Sequence, residues 1–450
     1  MTTALVRATV PCIVACLLTP TLHAQTRKVE FSDTRLANGL RVIIAEDHSA
    51  PVFSIAVNYF VGSRDERKGR TGFAHLFEHM MFKGSENIGT GEHFYLVFTN
   101  GGDMNGTTNK DRTLYFERLP SNQLELGLYL EADRMRSLAI TPANLDNQRN
   151  AVQEERRLAI DNQPYGKTFE AVDELAYGNF SNAHSVIGSM EDLSAATVDD
   201  VAAFFKTYYA PNNAVLAIVG DVDTKHALAR IRHHFESIQQ QPTPPRPDLA
   251  EAPPQAERRS TIDDALARLP RVDLAWRTPP SLTPDHDALT VLANVLSSGR
   301  SSRFFEAIVR QAQLASNVFA FAGDSRGPGL FRVIGTAVPG RQVADLEAAI
   351  HTEIERIKGG PIETWELEKA RNSARRSVVQ QLGSSLQRAI LLSQFALLND
   401  DPGLINTRAE RLAAVTAEDV RRVARQYLSA ENRTVVITQP QAAGPVKGAQ

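Results

Sequence analysis

The chain repeats itself at long range, and this repeat limits what it can fold into. The pattern Leu193-x-Ala195-x-Thr197-x-x-Asp200-Val201, with Tyr208 and Asn213 beyond it, returns as Leu412-x-Ala414-x-Thr416-x-x-Asp419-Val420 with Tyr427 and Asn432. The two copies lie 219 residues apart, and the same offset sets Pro142 on Pro361 and Arg156-Arg157 on Arg375-Arg376. An apolar strand follows each copy. At 450 residues the chain exceeds what one hydrophobic core usually serves. Two homologous domains of one fold are therefore expected.

Local signals set the fold class as α+β, each domain a mostly antiparallel sheet flanked by helices. Asn38-Gly39 sits between Thr34-Arg35-Leu36 and the β-branched run Val42-Ile43-Ile44, the mark of a hairpin. Residues 51–60 read as a strand, and so do 112–119, behind the glycine-rich run Asn100–Thr108. A phosphate-cradling loop is ranked low there, because the P-loop lysine and a following helix are missing. Helices are expected over 124–140, from Pro142 to about Asp161, and from Thr197 to Tyr208-Tyr209. Prolines cluster from Gln239 to Pro254 as a semi-rigid linker, beyond which the first clear strand is Arg271–Trp276. The expected layout is a leader over 1–24, a first domain over 25–238, a linker over 239–258, a second domain over 259–440 and a tail over 441–450.

The leader has one arginine, an apolar run from Ala8 to Leu18, and Thr19-Pro20-Thr21-Leu22-His23-Ala24 before Gln25. This is the layout of a secretory signal cleaved after Ala24, so export is expected. The run is too short to span a bilayer comfortably. Ile13-Val14-Ala15-Cys16 loosely resembles a lipoprotein box, but Leu17 and Leu18 carry the apolar run past it. Both cysteines, Cys12 and Cys16, fall inside the leader, so the mature chain would rest on packing without disulfides. A formal charge of -3 gives no sign of a nucleic-acid surface.

The chemistry-bearing stretch is His75-Leu76-Phe77-Glu78-His79. On a helix, His75 and His79 lie one turn apart with Glu78 beside them, while Leu76 and Phe77 face away. Two imidazoles that bind a metal, and a carboxylate that does not, make the H-x-x-E-H arrangement of a zinc hydrolase. The five residues alone fit a hydrogen-bonded histidine pair as well, so a third ligand decides. In the helix from Pro142, Leu145, Gln148, Val152, Glu155 and Ala159 fall on one stripe. Glu155 is thus expected on the buried face, where a carboxylate needs a cation. Glu154, Arg156 and Arg157 are expected on the solvated flank. By the 219-residue offset Glu155 meets Ala374, so only the first half carries the set.

These motifs together resemble the pitrilysin/insulinase-type metallopeptidases, the inverzincins. The closest likeness is to the half-length branch that includes mitochondrial processing peptidases and bacterial zinc proteases. The resemblance runs from Leu36-Ala37-Asn38-Gly39-Leu40 through Gly62-Ser63, the histidine helix and Gly102-Asp103-Met104-Asn105-Gly106 to the duplicated halves. It implies half of a clamshell, zinc held by His75, His79 and Glu155, and Glu78 as the base that activates a zinc-bound water. The 75 residues between His79 and Glu155 agree with the family spacing. It further implies that Asn105, Gly106 and the strand after them bind an extended peptide backbone. Two positions depart from the family. Gln148 stands where a glutamate often supports the third ligand, two turns before it, and it can still hydrogen-bond a ligand. Arg310 matches a substrate-contacting arginine, but its companion tyrosine is Ser316. A homologous subunit lacking H-x-x-E-H could supply the arginine and tyrosine, so a dimer, hetero rather than homo, is expected. The function implied is a zinc endopeptidase acting on short or unfolded peptides in an exported compartment, most simply the bacterial periplasm. The alternative is a non-catalytic structural or assembly subunit of the same family.

Overall fold

The computed structural model describes residues 28–441, so the expected leader, with Cys12 and Cys16, and nearly all of the expected tail lie outside the described residues. Two sheets carry the molecule. The first contains β1 (Ser32–Arg35), β2 (Arg41–Glu46), β3 (Val52–Tyr59), β4 (Asp103–Thr108), β5 (Thr113–Pro120) and β6 (Ala214–Gly220), in the order β1-β2-β6-β3-β5-β4. The second contains β7 (Arg258–Asp264), β8 (Arg271–Thr278), β9 (Ala315–Ala322), β10 (Gly329–Ala337) and β11 (Arg433–Pro440), in the order β7-β11-β8-β10-β9. Each sheet is antiparallel except for one pair, β2 with β6 and β7 with β11. The free edge toward the candidate site is β4, and β9 is an edge of the second sheet.

The repeat is visible element by element. Strands β3 and β8 begin and end 219 residues apart, as do the helices Val198–Tyr208 and Ala417–Tyr427. Both helices open on a capping box, Thr197 with Asp200 and Thr416 with Asp419, so the repeated threonine and aspartate satisfy orphan amides at the N-terminus. Helix α5 (Gly166–Ala176) and the Ser385–Asn399 helix also start one offset apart, and each crosses to the other half. Val172 and Ala176 of α5 pack on Ala275 and Val436 of the second sheet. Ala389 and Leu392 pack on Ala56, Val215 and Ala217 of the first. The two sheets thus exchange one covering helix each.

Helix α1 (Phe73–Met80), α2 (Glu92–Thr99) and α3 (Leu124–Arg136) pack on the opposite face of the first sheet, and α4 (Pro142–Arg156) packs on α1. Leu76, Phe77 and Met80 of α1 lie in the same core as Val57, Tyr115 and Leu216. Two sequence expectations are corrected and one, the semi-rigid linker, is made more specific. Helix α3 stops at Arg136 and not at Ile140, because the chain turns extended at Ser137 and Ala139 donates its amide to the Gly84 carbonyl. Strand β7 already begins at Arg258; its polar sequence, Arg-Arg-Ser-Thr-Ile-Asp-Asp, hides a strand whose side chains are all half-buried or exposed. Residues 239–257 hold no helix or strand, yet they are strapped down and are not a free spacer. Arg246 donates to the Phe60 carbonyl and to Asn213 Oδ1, each at 2.6 Å, and Glu251 accepts from the amides of Gly178 and Asn179.

Candidate metal centre

Glycine and a distant carboxylate launch α1. Gly72 has φ of 84°, and a β-carbon there would come within 2.6 Å of the Ile187 carbonyl oxygen, so only glycine fits this turn. The buried Glu66 carboxylate accepts from the Gly72 and Ala74 amides at 2.9 and 2.8 Å, capping a helix whose N-cap residue has no side chain. His184 Nε2 lies 3.0 Å from Glu66 Oε2. Burial pushes the Glu66 carboxyl up, against the pull of His184, while that pairing raises His184 in spite of its own burial.

The cap aims His75 and His79 to one side of α1, toward α4. Thr141 caps α4 by accepting from the Asn144 amide, and Pro142 occupies the first helical position. Leu145, Gln148 and Val152 of the expected stripe are buried. Glu155 is not: its side chain is 45% exposed, and Ala159 is exposed as well. Glu155 keeps its place on the stripe, in the last turn of α4, but there the stripe faces the open cluster of His75 and His79 and not apolar core; a π-helical turn over Arg157–Asp161 follows. Arg156, expected in solvent, is instead held by Glu170 and by the Gly188 carbonyl. Glu154 pairs with Arg157 at the surface as expected.

Glu155 Oε2 stands 3.6 Å from His75 Nε2 and 3.3 Å from His79 Nε2. Ligand atoms about 2.0–2.2 Å from a tetrahedral zinc ion sit roughly 3.3–3.6 Å from one another, so Glu155 stands at that separation from each imidazole, and the three donor atoms, of the chemistry that ion takes, all lie within 4.8 Å of one another. Burial, and next the nearby His79, hold His75 down to about 4, which keeps its imidazole neutral and able to donate a lone pair. Contact with His79 holds Glu155 below the usual carboxylate range, so it is ionised.

Glu78 occupies the floor beside this triad. Its Oε2 accepts from Thr108 Oγ1 at 2.5 Å. Burial raises its pKa, opposed by the Thr108 bond and the neighbouring His79 and Arg112. Gly106 lies directly beneath: a β-carbon at that position would be 2.9 Å from Glu78 Cγ. Asn105, on the other face of β4, is exposed, and its Oδ1 accepts from the Gly106 amide at 2.8 Å.

Not every expected residue joins the cluster. Gln148 is buried but its amide donates to Asn147 Oδ1, whereas His75 Nδ1 is buried with no hydrogen-bond partner among the described residues. Arg310 sits in the second half, paired with Glu306, and Ser316 is exposed at the start of β9. In the second half the 219-residue offset sets Asn294, Ser297 and Ser298 where His75, Glu78 and His79 stand, and Ala374 is buried in apolar core. Sequence reasoning had no role for Glu66 or Thr108. Neither is adjacent to α1 in the chain, so only the capping geometry and the edge strand reveal them.

Known proteins place this arrangement in a family. The family model described as "Insulinase (Peptidase family M16)" matches residues 41–189, and that described as "Peptidase M16 inactive domain" matches residues 195–374. The chain is 30% identical over 422 residues to the zinc protease PqqE of Helicobacter pylori, covering 93% of this chain and 95% of that protein. It is 23% identical over 405 residues to the probable mitochondrial-processing peptidase subunit beta of Arabidopsis thaliana, covering 88% of this chain and 76% of the other. A crystal structure of a protease from Helicobacter pylori superposes with a TM-score of 0.87 at 29% identity, over 92% of this chain and all of that one. The periplasmic protease PqqL of Escherichia coli shares the fold at a TM-score of 0.77 and 19% identity, and this chain spans 49% of its length. The chain belongs to the M16, or insulinase, family of peptidases, with two sheets flanked by helices in that family's half-length form.

Proposed function

We propose that the protein is a zinc-dependent endopeptidase of short or unfolded peptides, with His75, His79 and Glu155 as metal ligands and Glu78 as general base. The observation that carries this reading is the convergence of three donor atoms, from α1 and α4, within 4.8 Å of one another, with a second carboxylate, that of Glu78, held beside them. Zinc, when bound, supplies Lewis acidity, polarising a carbonyl and lowering the pKa of a coordinated water. Glu78 is positioned to take a proton from the attacking water and to return it to the leaving amine. Thr108 donates to one Glu78 oxygen and leaves the other free for that exchange. Strand β4 offers a free edge beside Glu78, on which an extended peptide can add as a further strand, with Asn105 and Gly106 alongside the scissile segment.

The substrate clamp is the part this chain leaves open. Arg310 is engaged by Glu306 and Ser316 has no phenol, so a second subunit that brings its own arginine and tyrosine to the site is part of the proposal. The reading places the protein in an exported compartment, on the basis of the leader sequence and the periplasmic relative of known fold. No helix among the described residues is long and apolar enough to cross a membrane.

The test is turnover of an unstructured fluorogenic peptide by purified protein, before and after chelation and after zinc is restored. Loss on chelation and recovery with zinc is the expected outcome. Turnover indifferent to chelator overturns the metal-dependent reading.

A further inference from the structure

The β4–β5 turn, α5 and the hairpin of β9 and β10 enclose a 260 Å³ cavity lined by Lys110, Asp173, Tyr177, Phe321 and Arg332. Its lining includes Asn109, the residue after Thr108, which is the partner of Glu78. Arg332 stands opposite Phe321 in the register of β10 with β9 and is only 7% exposed. Its Nε and Nη2 are buried with no hydrogen-bond partner among the described residues.

The nearest carboxylates are already engaged. Asp173, at 3.9 Å from Arg332, accepts from Lys110 Nζ at 2.7 Å. Asp273, at 3.6 Å, accepts from Arg271 at 2.7 and 3.1 Å. Lys110, Arg271 and Arg332 therefore share two aspartates, an excess of one positive charge. Beyond these, Arg64 and Arg326 share Asp111, at 2.6 and 3.5 Å, and Asp324 pairs with Arg408 at 3.2 Å. The Phe169 ring, 4.6 Å from the Arg332 guanidinium, eases the desolvation of that cation but supplies no acceptor. A guanidinium buried in this state is costly, and its planar fork matches a carboxylate.

Phe321 lines the cavity beside Arg332 and is 40% exposed, an apolar wall next to a cationic floor. A C-terminal residue carries a carboxylate and an apolar side chain on the same carbon, which an acidic side chain does not. We propose that this cavity binds the C-terminal carboxylate of a peptide through Arg332, with the terminal side chain against Phe321. The proposal rests on the peptide-binding reading above and adds to it an anchor in the second half of the chain.

The test uses full-length protein carrying Glu78→Gln, so that binding is read without turnover. Three N-terminally labelled, unstructured peptides are titrated by fluorescence anisotropy: one ending in a phenylalanine carboxylate, the same peptide amidated, and an amidated peptide ending in glutamate. The free acid is expected to bind at least about tenfold more tightly than either amide, and Arg332→Gln is expected to abolish that difference. Equal affinity for the free acid and its amide overturns the proposal, whatever the variant's stability, since Arg332 is intact in that comparison. Tight binding of the glutamate-terminated amide also overturns it, by assigning the site to acidic side chains. Hydrolysis is measured separately on the unsubstituted protein: a chain that discriminates acid from amide but cleaves neither refutes the peptidase reading and leaves the carboxylate site standing.

Discussion

A single methyl group separates Gly106 from a side chain the strand cannot accept there, because a β-carbon would sit 3.1 Å from Glu78 Oε1. Gly106→Ala is therefore expected to displace Glu78 while leaving His75, His79 and Glu155 in place, lowering kcat with zinc content unchanged. Thr108→Val removes the hydrogen bond that orients the Glu78 carboxylate. A bond to a charged group is worth about 1.5–3 kcal/mol, so kcat is expected to fall about 10- to 100-fold. Steady-state kinetics beside metal analysis check both variants; zinc lost in step with activity would count against the roles given to Gly106 and Thr108. At this scale the sequence was readable where chemistry is local. The H-x-x-E-H spacing follows from helical periodicity, and Glu155 from the stripe on its helix. Thr108 was not readable as a partner of Glu78, because 30 residues and a strand pairing separate the two. The exposure of Glu155 was missed for another reason: apolar periodicity gives the side of the helix it lies on, but not that this side opens at the last turn onto His75 and His79.

At the scale of elements, α1 depends on Glu66 to satisfy its first amides. Glu66→Gln keeps the shape but removes the charge that two amides and His184 share, and a loss of about 1–3 kcal/mol in stability is expected by urea denaturation. An unchanged denaturation midpoint would show that the cap is not supported by that charge. Asp47 ties the Ser385–Asn399 helix to the first half through Arg388. That contact lowers the Asp47 pKa to about 2 from 3.8. A depressed folded-state pKa means that the stabilisation is present above the unfolded value, and it is lost as pH falls through the folded one. Asp47→Asn is thus expected to cost about 1 kcal/mol or less near neutral pH, given solvent screening, and only a small part of that near pH 2. Thermal melts at pH 7 and pH 2 measure the difference; an equal cost at both would refute the ion pair. Element positions were largely legible where caps or apolar runs mark them, as for Thr197, Thr416 and β6. The polar edge strand β7 was not, since its pairing with β11 uses backbone groups and not an apolar face.

For the whole molecule, the duplication read from Leu193 and Leu412 gave two related domains, but it could not reveal that each covers the other's sheet. The residues that do so, Val172 and Ala176 in one direction and Ala389 and Leu392 in the other, read in sequence only as ordinary apolar helix faces. A fragment of residues 28–257 would expose the surface of Ala56, Val215 and Ala217 that the Ser385–Asn399 helix covers. It is expected to be aggregated or unfolded by circular dichroism and to bind no zinc. That outcome would assign the proposed metal site to the full chain, although all its residues come from the first half. The most direct test of the central claim is zinc content and peptide turnover measured together on Glu78→Gln. The account predicts about one zinc per chain and a loss of turnover of about 10²- to 10⁴-fold; turnover at the unsubstituted rate would contradict it.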